Sequence, residues 1–287
     1  VTSLMQRLTD NSMSWQSNHS ANRQKWKLKH SYLLTNSSGN ILPSNVPMSI
    51  NIEQLQTELA QKNPRFILKK ALSLFDNIAI SFSGAEDVVL IDMAVSIRKD
   101  IQVFTLDTGR LHPETYRFIE KVRKHYGLQI ELLTPDRDAL DDFVKRKGLF
   151  SFYEDGHQEC CGIRKVEPLR RRLAHVDAWI TGQRHDQSVE TRQEVPEVQS
   201  DTLFSTADKP LVKFNPLLNW KSAQVWDYIE ANQVPYNELH GKGFISIGCE
   251  PCTRAILPNE HERAGRWWWE ESTKKECGLH VAHRKNS

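Results

Sequence analysis

The sequence predicts an α/β protein, an open and mostly parallel sheet with helices on both faces. Three observations predict it. From Met48 onward, short apolar runs of strand length alternate with longer runs of helical period. Small, polar turn segments follow each strand-like run, as at the carboxyl edge of a parallel sheet. Repeated βα units of this length leave helices to cover the sheet.

In order, 52–61 and 64–75 read as helices, and 78–82 as a short buried strand. A helix over 86–98 carries Val89, Leu90 and Met93 on one face, and 101–106 is a second strand. The helix 114–126 places Ile119, Val122 and Tyr126 at helical spacing, with Gly127 where a C-cap belongs. A third strand covers 129–133 and a helix 138–146. The helix 166–173 and the strand 178–181 complete the alternation. Beyond about Lys213 one helix, 223–231, stands in a loop-rich remainder.

The 287 residues carry a formal charge of +2, which by itself predicts no polyanion partner and no nucleic acid. No apolar run approaches the ~18 residues of a membrane helix. Residues 1–47 hold one acid, Asp10, against five basic residues, are rich in Ser and Asn, and keep no apolar period. Such a stretch cannot offset its ordering entropy. It reads as a disordered leader or an upstream-extended start, with Met48 the natural beginning. Residues 48–287 then form a single domain with a mobile tail from about 270.

Three turns carry candidate binding residues. Between the first strand and its helix lies Ser81-Phe82-Ser83-Gly84-Ala85-Glu86-Asp87. Ser83 and Gly84 can offer backbone N–H groups to an anion at a helix N-terminus. It is neither a Walker A loop nor a GxGxxG fingerprint. Asp107, in Leu106-Asp107-Thr108-Gly109-Arg110, can accept from a ribose hydroxyl or an adenine amine, or simply cap a turn. Gly182, Arg184, Gln187 and Ser188, with Arg192 beyond, suit a polyanion's oxygens, or form a solvated loop.

Of the five cysteines, four fall in two pairs, Cys160-Cys161 and Cys249-Glu250-Pro251-Cys252, and Cys277 stands alone in a basic tail. Four thiolates can hold zinc or an iron–sulfur cluster; buried thiols and a disulfide framework are the other readings. Adjacent cysteines diverge by ~100° on a helix, so a local bend at Gly162 is expected to aim both at one centre. An odd count with a vicinal pair suits a reducing compartment, and we read the chain as cytoplasmic. Basic residues thicken nearby: Arg164, Lys165, Arg254, His261, Arg263 and Arg266. Trp267-Trp268-Trp269 reads as packing. His157 is either a partner of the metal ligands or a surface histidine.

Together the segments SFSGAEDVVL, LDTGRLHPETY, GLFSFYEDGHQECCGIRKVEPL, TGQRHDQS, KFNPL, GCEPCTR, HERAGRWWWEE and KKECGLH closely resemble the bacterial assimilatory adenylyl-sulfate (APS) reductases. The likeness covers roughly 48–287. It implies an adenine-nucleotide alpha-hydrolase-like fold. It also implies a 4Fe–4S cluster on Cys160, Cys161, Cys249 and Cys252, and Cys277 as the nucleophile that attacks the sulfur of APS and displaces AMP, giving an S-sulfocysteine. The implied reductant is thioredoxin, as a separate partner. Phosphoadenylyl-sulfate (PAPS) reductases lack the four cluster cysteines, so the resemblance points to APS.

On this reading Lys165, Arg263, Arg266 and His280 neutralise the phosphosulfate, each such donor contributing roughly 3–4 kcal/mol. Ser81, Ser83, Gly84, Glu86, Asp87, Asp107, Gly182, Arg184, Gln187 and Arg192 hold the nucleotide. Competing readings are a PAPS or dual-specificity reductase, an ATP-consuming PP-loop ligase, and a zinc-stabilised nucleic-acid-binding module. The oligomeric state stays open, a homo-oligomer included.

Overall fold

The computed structural model describes residues 50–188 and 192–270. The leader expected at 1–47, and Cys277 and His280 in the tail, lie outside them. The described chain opens with helices α1 (Ile52–Leu59) and α2 (Pro64–Leu74). Each is started by an asparagine. Asn51 accepts from Gln54 N at 3.0 Å and Asn63 from Phe66 N at 2.9 Å, satisfying otherwise orphaned donors.

The alternation then runs β1 (Ile78–Ser81), α3 (Ala85–Val95), β2 (Gln102–Leu106), α4 (Pro113–Tyr126), β3 (Ile130–Leu133) and α5 (Arg137–Lys147). Pro113 starts α4 with its φ already helical, and Gly127 ends it at φ +64°, where a side chain would be strained. Next come α6 (Gln158–Cys161), a π turn (Gly162–Val166) and α7 (Glu167–Leu173). The strands β4 (Ala178–Ile180), β5 (Val198–Ser200) and β6 (Val212–Phe214) and the helix α8 (Ser222–Asn232) follow.

The sheet order is β3-β2-β1-β4-β6-β5. All neighbouring pairs are parallel except β5 with β6, an antiparallel edge. Both strands of that edge were missing from the sequence reading. Each is three residues long, too short to show a period.

Alternation along the strands divides the core. Ala79, Phe104 and Trp179 share one face and pack with Leu169 and Leu173 of α7. Ile78, Ile80 and Ile180 point the other way and are equally buried. Helix α3, buried on nearly every side at Val88, Val89, Leu90 and Ile91, packs against β1, α2, α4 and α8. Strand order reverses between β1 and β4, so the loops leaving these two strands part and open a crevice at the carboxyl edge.

Phe104→Ala should remove a fully enclosed ring and lower unfolding stability by about 3–5 kcal/mol, read from the denaturation midpoint at unchanged slope. A loss under about 1 kcal/mol would mean that this face of the sheet is not a packed core.

Candidate active site

Asp87, in the first turn of α3, closes the crevice at its base. Its carboxylate accepts from Ser83 N (2.8 Å), Ser83 Oγ (3.0 Å), Gly84 N (3.0 Å) and, across the crevice, Gly182 N (2.9 Å). The loop donors expected to meet a ligand anion are therefore turned onto an internal one. Gly182 has to be glycine: a Cβ there would lie 2.6 Å from Glu86 Cβ and 2.7 Å from Asp87 Oδ1. Burial pushes the Asp87 acid up to about 6, with Glu86 adding to the push and the backbone bonds opposing it.

A cleft of about 190 Å³ opens above this floor. Ser81, Ser83, Gly84, Glu86, Asp87, Gly182, Gln187 and Arg192 line it from the β1 and β4 loops, and Lys165, Arg263 and Arg266 from the far side. Lys165, Arg192 and Arg266 are buried, which is costly for cations unless an anion or strong acceptors compensate. Arg192 donates to Gln187 Oε1, and Gln187 Nε2 to Glu86 Oε1 at 3.0 Å. Arg266 leans on Ser246 Oγ and the Ile247 carbonyl, with its guanidinium 4.4 Å from the Trp267 ring centre.

Two expected nucleotide ligands do not line the cleft. Asp107 Oδ1 accepts from Gly109 N (2.9 Å) and Tyr116 OH (2.7 Å), so it holds its own turn. Arg184, 1 % exposed, lies behind Glu86 in a set of ion pairs with Glu86, Asp186 and Glu262. The useful residue of the Asp107 turn is Thr108, whose Oγ1 lies 3.2 Å from Cys249 Sγ and whose carbonyl accepts from Arg164 Nη1 at 2.6 Å.

Cys160, Cys161, Cys249 and Cys252 are all buried and free, and pack in one cluster with Phe143, Phe152 and Trp267. They line a small chamber with Arg110, His157, Arg164 and Lys165. Gly162, expected to bend the chain and aim the adjacent pair, keeps helical dihedrals at φ −55° and opens the π turn. Helix α6 runs into the π turn, whose wider loop of backbone re-aims the side chains it carries, Arg164 and Lys165 among them. The other pair is fixed to the loop between β2 and α4 by a bridge from Cys249 to Leu111 and by Glu250 N donating to Arg110 O at 2.8 Å.

Four thiols in so closed a space cannot all ionise alone. Burial pushes Cys252 up to about 12, with Cys249 adding to it. Burial also raises Cys249, but Lys165, Thr108, Arg266 and Arg164 outweigh it and bring that thiol below its ordinary value. Among the described residues, no three of His, Cys, Asp and Glu converge closely enough to hold a single metal ion. The all-thiol donor set and the cationic wall still suit a metal centre.

Trp267 separates chamber from cleft. It is fully buried, and its φ of +40° is a strained conformation for a bulky residue, of the kind the surroundings must enforce. Its indole stacks on His157 at 4.2 Å and 21°, and Lys165 Nζ stands 5.7 Å from the ring. His157 is buried, not superficial, and its Nδ1 meets Glu270 at 2.7 Å. Lys165 and Cys249 line both spaces.

Residues 77–255 match the phosphoadenosine phosphosulfate reductase domain. The chain belongs to the phosphoadenosine phosphosulfate reductase family. It is 60 % identical over 242 residues to the adenosine 5'-phosphosulfate reductase of Pseudomonas aeruginosa, covering 84 % of this chain and 91 % of that one. It is 54 % identical to the chloroplastic 5'-adenylylsulfate reductase 1 of Arabidopsis thaliana, a match over 83 % of this chain and 52 % of that protein. A crystal structure of a Candida auris phosphoadenylyl-sulfate (PAPS) reductase in complex with phosphate superposes at a TM-score of 0.58 with 27 % identity. That superposition covers 79 % of this chain and all of the other.

For a reductase of this family, the described site gathers all four paired cysteines with Lys165, Arg192, Arg263 and Arg266, while Arg184 stands behind it and Cys277 and His280 lie outside the described residues. Thr108, Glu262 and Glu270 went unread as site residues, and Trp267 read only as packing. Only the density of charge around the cysteines hinted at such a neighbourhood.

Two measurements check the floor of the cleft. Gly182→Ala should push the β4 loop off Asp87 and weaken AMP binding by about tenfold, about 1.4 kcal/mol; unchanged affinity would mean the loops are not closely packed. Because the folded value of Asp87 lies above its ordinary 3.8, its contribution is full below that pH and is lost as pH rises through about 6. From pH 5 to 8 the parent should therefore lose about 1 kcal/mol relative to Asp87→Asn in denaturant titrations. The opposite trend would place the acid below its ordinary value.

Proposed function

We propose that the chain reduces adenosine 5'-phosphosulfate to sulfite and AMP with electrons from thioredoxin, in assimilatory sulfate reduction and cysteine biosynthesis. The observation that carries this reading is the shared wall. A nucleotide-type cleft and a four-cysteine chamber meet at Lys165 and Cys249, with Arg263 and Arg266 beside them. The naming of the 60 % identical relative as an adenosine 5'-phosphosulfate reductase supports APS as the substrate over its 3'-phosphorylated form.

The chemistry divides into two displacements. The Cys277 thiolate attacks the sulfur of the sulfate; the S–O bond to the phosphate breaks, AMP leaves, and Cys277 carries an S-sulfonate. A thioredoxin thiolate then attacks the Cys277 sulfur and releases sulfite. The second thioredoxin thiol resolves the mixed disulfide, so one dithiol supplies both electrons and Cys277 is regenerated.

The attacked group is an anion, and so is the attacking thiolate. Lys165, Arg263 and Arg266, with His280 from the tail, cancel that repulsion and hold the charge that builds on the leaving phosphate. Gln187 and Arg192 hold the nucleotide on the β4 side, while Ser81, Ser83, Gly84, Glu86, Asp87 and Gly182 form the floor. Cys160, Cys161, Cys249 and Cys252 would hold a 4Fe–4S cluster, which supplies a fixed, polarisable charge beside Lys165. The all-thiolate donor set, with Arg164 and Lys165 on the chamber wall, supports the cluster. No described helix is long and apolar enough to cross a membrane. The vicinal and CxxC cysteines suit a reducing compartment, and on that ground we place the protein in the cytoplasm.

Cys277→Ser should release no sulfite from APS while AMP affinity stays within about twofold. Peptide mass after incubating the parent with APS alone should show the sulfonate on Cys277. An adduct on one of the four paired cysteines would refute the assignment. The purified protein should carry iron and acid-labile sulfide in equal amounts, both lost in Cys249→Ser; zinc in their place would refute the cluster. With thioredoxin present, kcat/KM for APS should exceed that for PAPS by about tenfold or more, a difference of about 1.4 kcal/mol. Equal values would make the enzyme a dual-specificity reductase.

A further inference from the structure

Arg184 is enclosed in the protein, 1 % exposed, and every nitrogen of its guanidinium meets a carboxylate. Nε and Nη2 donate to Glu86 Oε1 at 3.2 and 3.0 Å, Nη2 also to both oxygens of Glu262 at 3.2 and 3.1 Å, and Nη1 to Asp186 at 3.2 Å. One side chain from the β4 loop thus joins the start of α3 to the segment after the second cysteine pair. Those partners lie 98 and 78 residues away in the chain.

Glu86 and Glu262 face the cleft; Arg184 stands behind them. Glu262 immediately precedes Arg263. Tight turns, Ala264 N to His261 O at 2.8 Å and Arg266 N to Arg263 O at 3.0 Å, pass its position on to Arg266. Burial raises the Glu262 acid, and Arg184 opposes the rise. Without a buried cation behind them, two carboxylates would confront any anion entering the cleft.

We propose that Arg184 is a positioning residue: through Glu262 it sets Arg263 and Arg266 against the anion end of the cleft, and it cancels the two carboxylates that share that wall. It does not touch the ligand. The inference rests on reading the cleft as a phosphosulfate site, and it names the device that orients that site's arginines. A planar, forked guanidinium can bridge three acids at once. Lysine keeps the charge but cannot reproduce the fork.

The test compares Arg184→Lys, Glu262→Gln and the double variant by calorimetric titration with inorganic sulfate and with adenosine, beside sulfite release from APS. Sulfate probes the arginine end and adenosine the nucleoside end. Each single variant should weaken sulfate binding by about tenfold and leave adenosine within about twofold. The double variant should be no weaker than the weaker single one, because both break the same link. The rate of sulfite release at saturating APS should fall more than KM rises.

Unchanged sulfate affinity in either single variant would overturn the proposal. So would equal losses for sulfate and adenosine, which would mean that the whole cleft had loosened, or additive losses in the double variant. If Arg184→Lys does not fold, the near-isosteric Glu262→Gln alone decides, by whether sulfate binding weakens. A parent chain that binds sulfate as described but releases no sulfite from APS would refute the reaction, while the affinity comparison would still judge Arg184.

Discussion

One carboxylate holds the site's floor together. Asp87 accepts four hydrogen bonds from two loops that belong to different strands. The strand-order reversal between β1 and β4 drives those loops apart, and the Asp87 bond to Gly182 draws them back. Every residue that lines the cleft from the β1 and β4 loops takes its place relative to this contact. It is an expensive contact, because burial works against the charge that makes it. The close approach of Gly182 to Glu86 and Asp87 is the steric side of the same constraint.

Much of the fold was legible because the central strands are buried on both faces and therefore read as apolar runs. Ile78, Ala79 and Ile80 are an example. Helix α4 was legible at both ends, through Pro113 and Gly127. The antiparallel edge was not, since three-residue strands leave no pattern. The π turn was equally hidden: nothing in Gly162–Val166 distinguishes it from an ordinary helical turn, and the glycine expected to bend the chain opens that turn.

The residue types of the site were easier to read than their roles. Spacing found the four cysteines, and they do share one chamber. It found Asp107 and Arg184 as well, but both turn their charge inward, Asp107 on its own turn and Arg184 on acids up to 98 residues away. Whether a charged side chain faces a ligand or a neighbour is settled by distant chain, and a single sequence does not show distant chain. Thr108 went unnoticed beside Asp107 for the same reason, since its sulfur partner lies 141 residues on.

Lys165 and Cys249 belong to the walls of both the chamber and the cleft, with Trp267 strained between them. Where filling one site changes the walls of the other, the two are thermodynamically linked, and linkage is reciprocal. Whatever affinity an anion in the cleft gains from a filled chamber, the chamber's occupant gains from the anion by the same factor. If the chamber holds the proposed centre, bound substrate would also protect it, and loss of the centre would weaken the hold on an anion by that same factor.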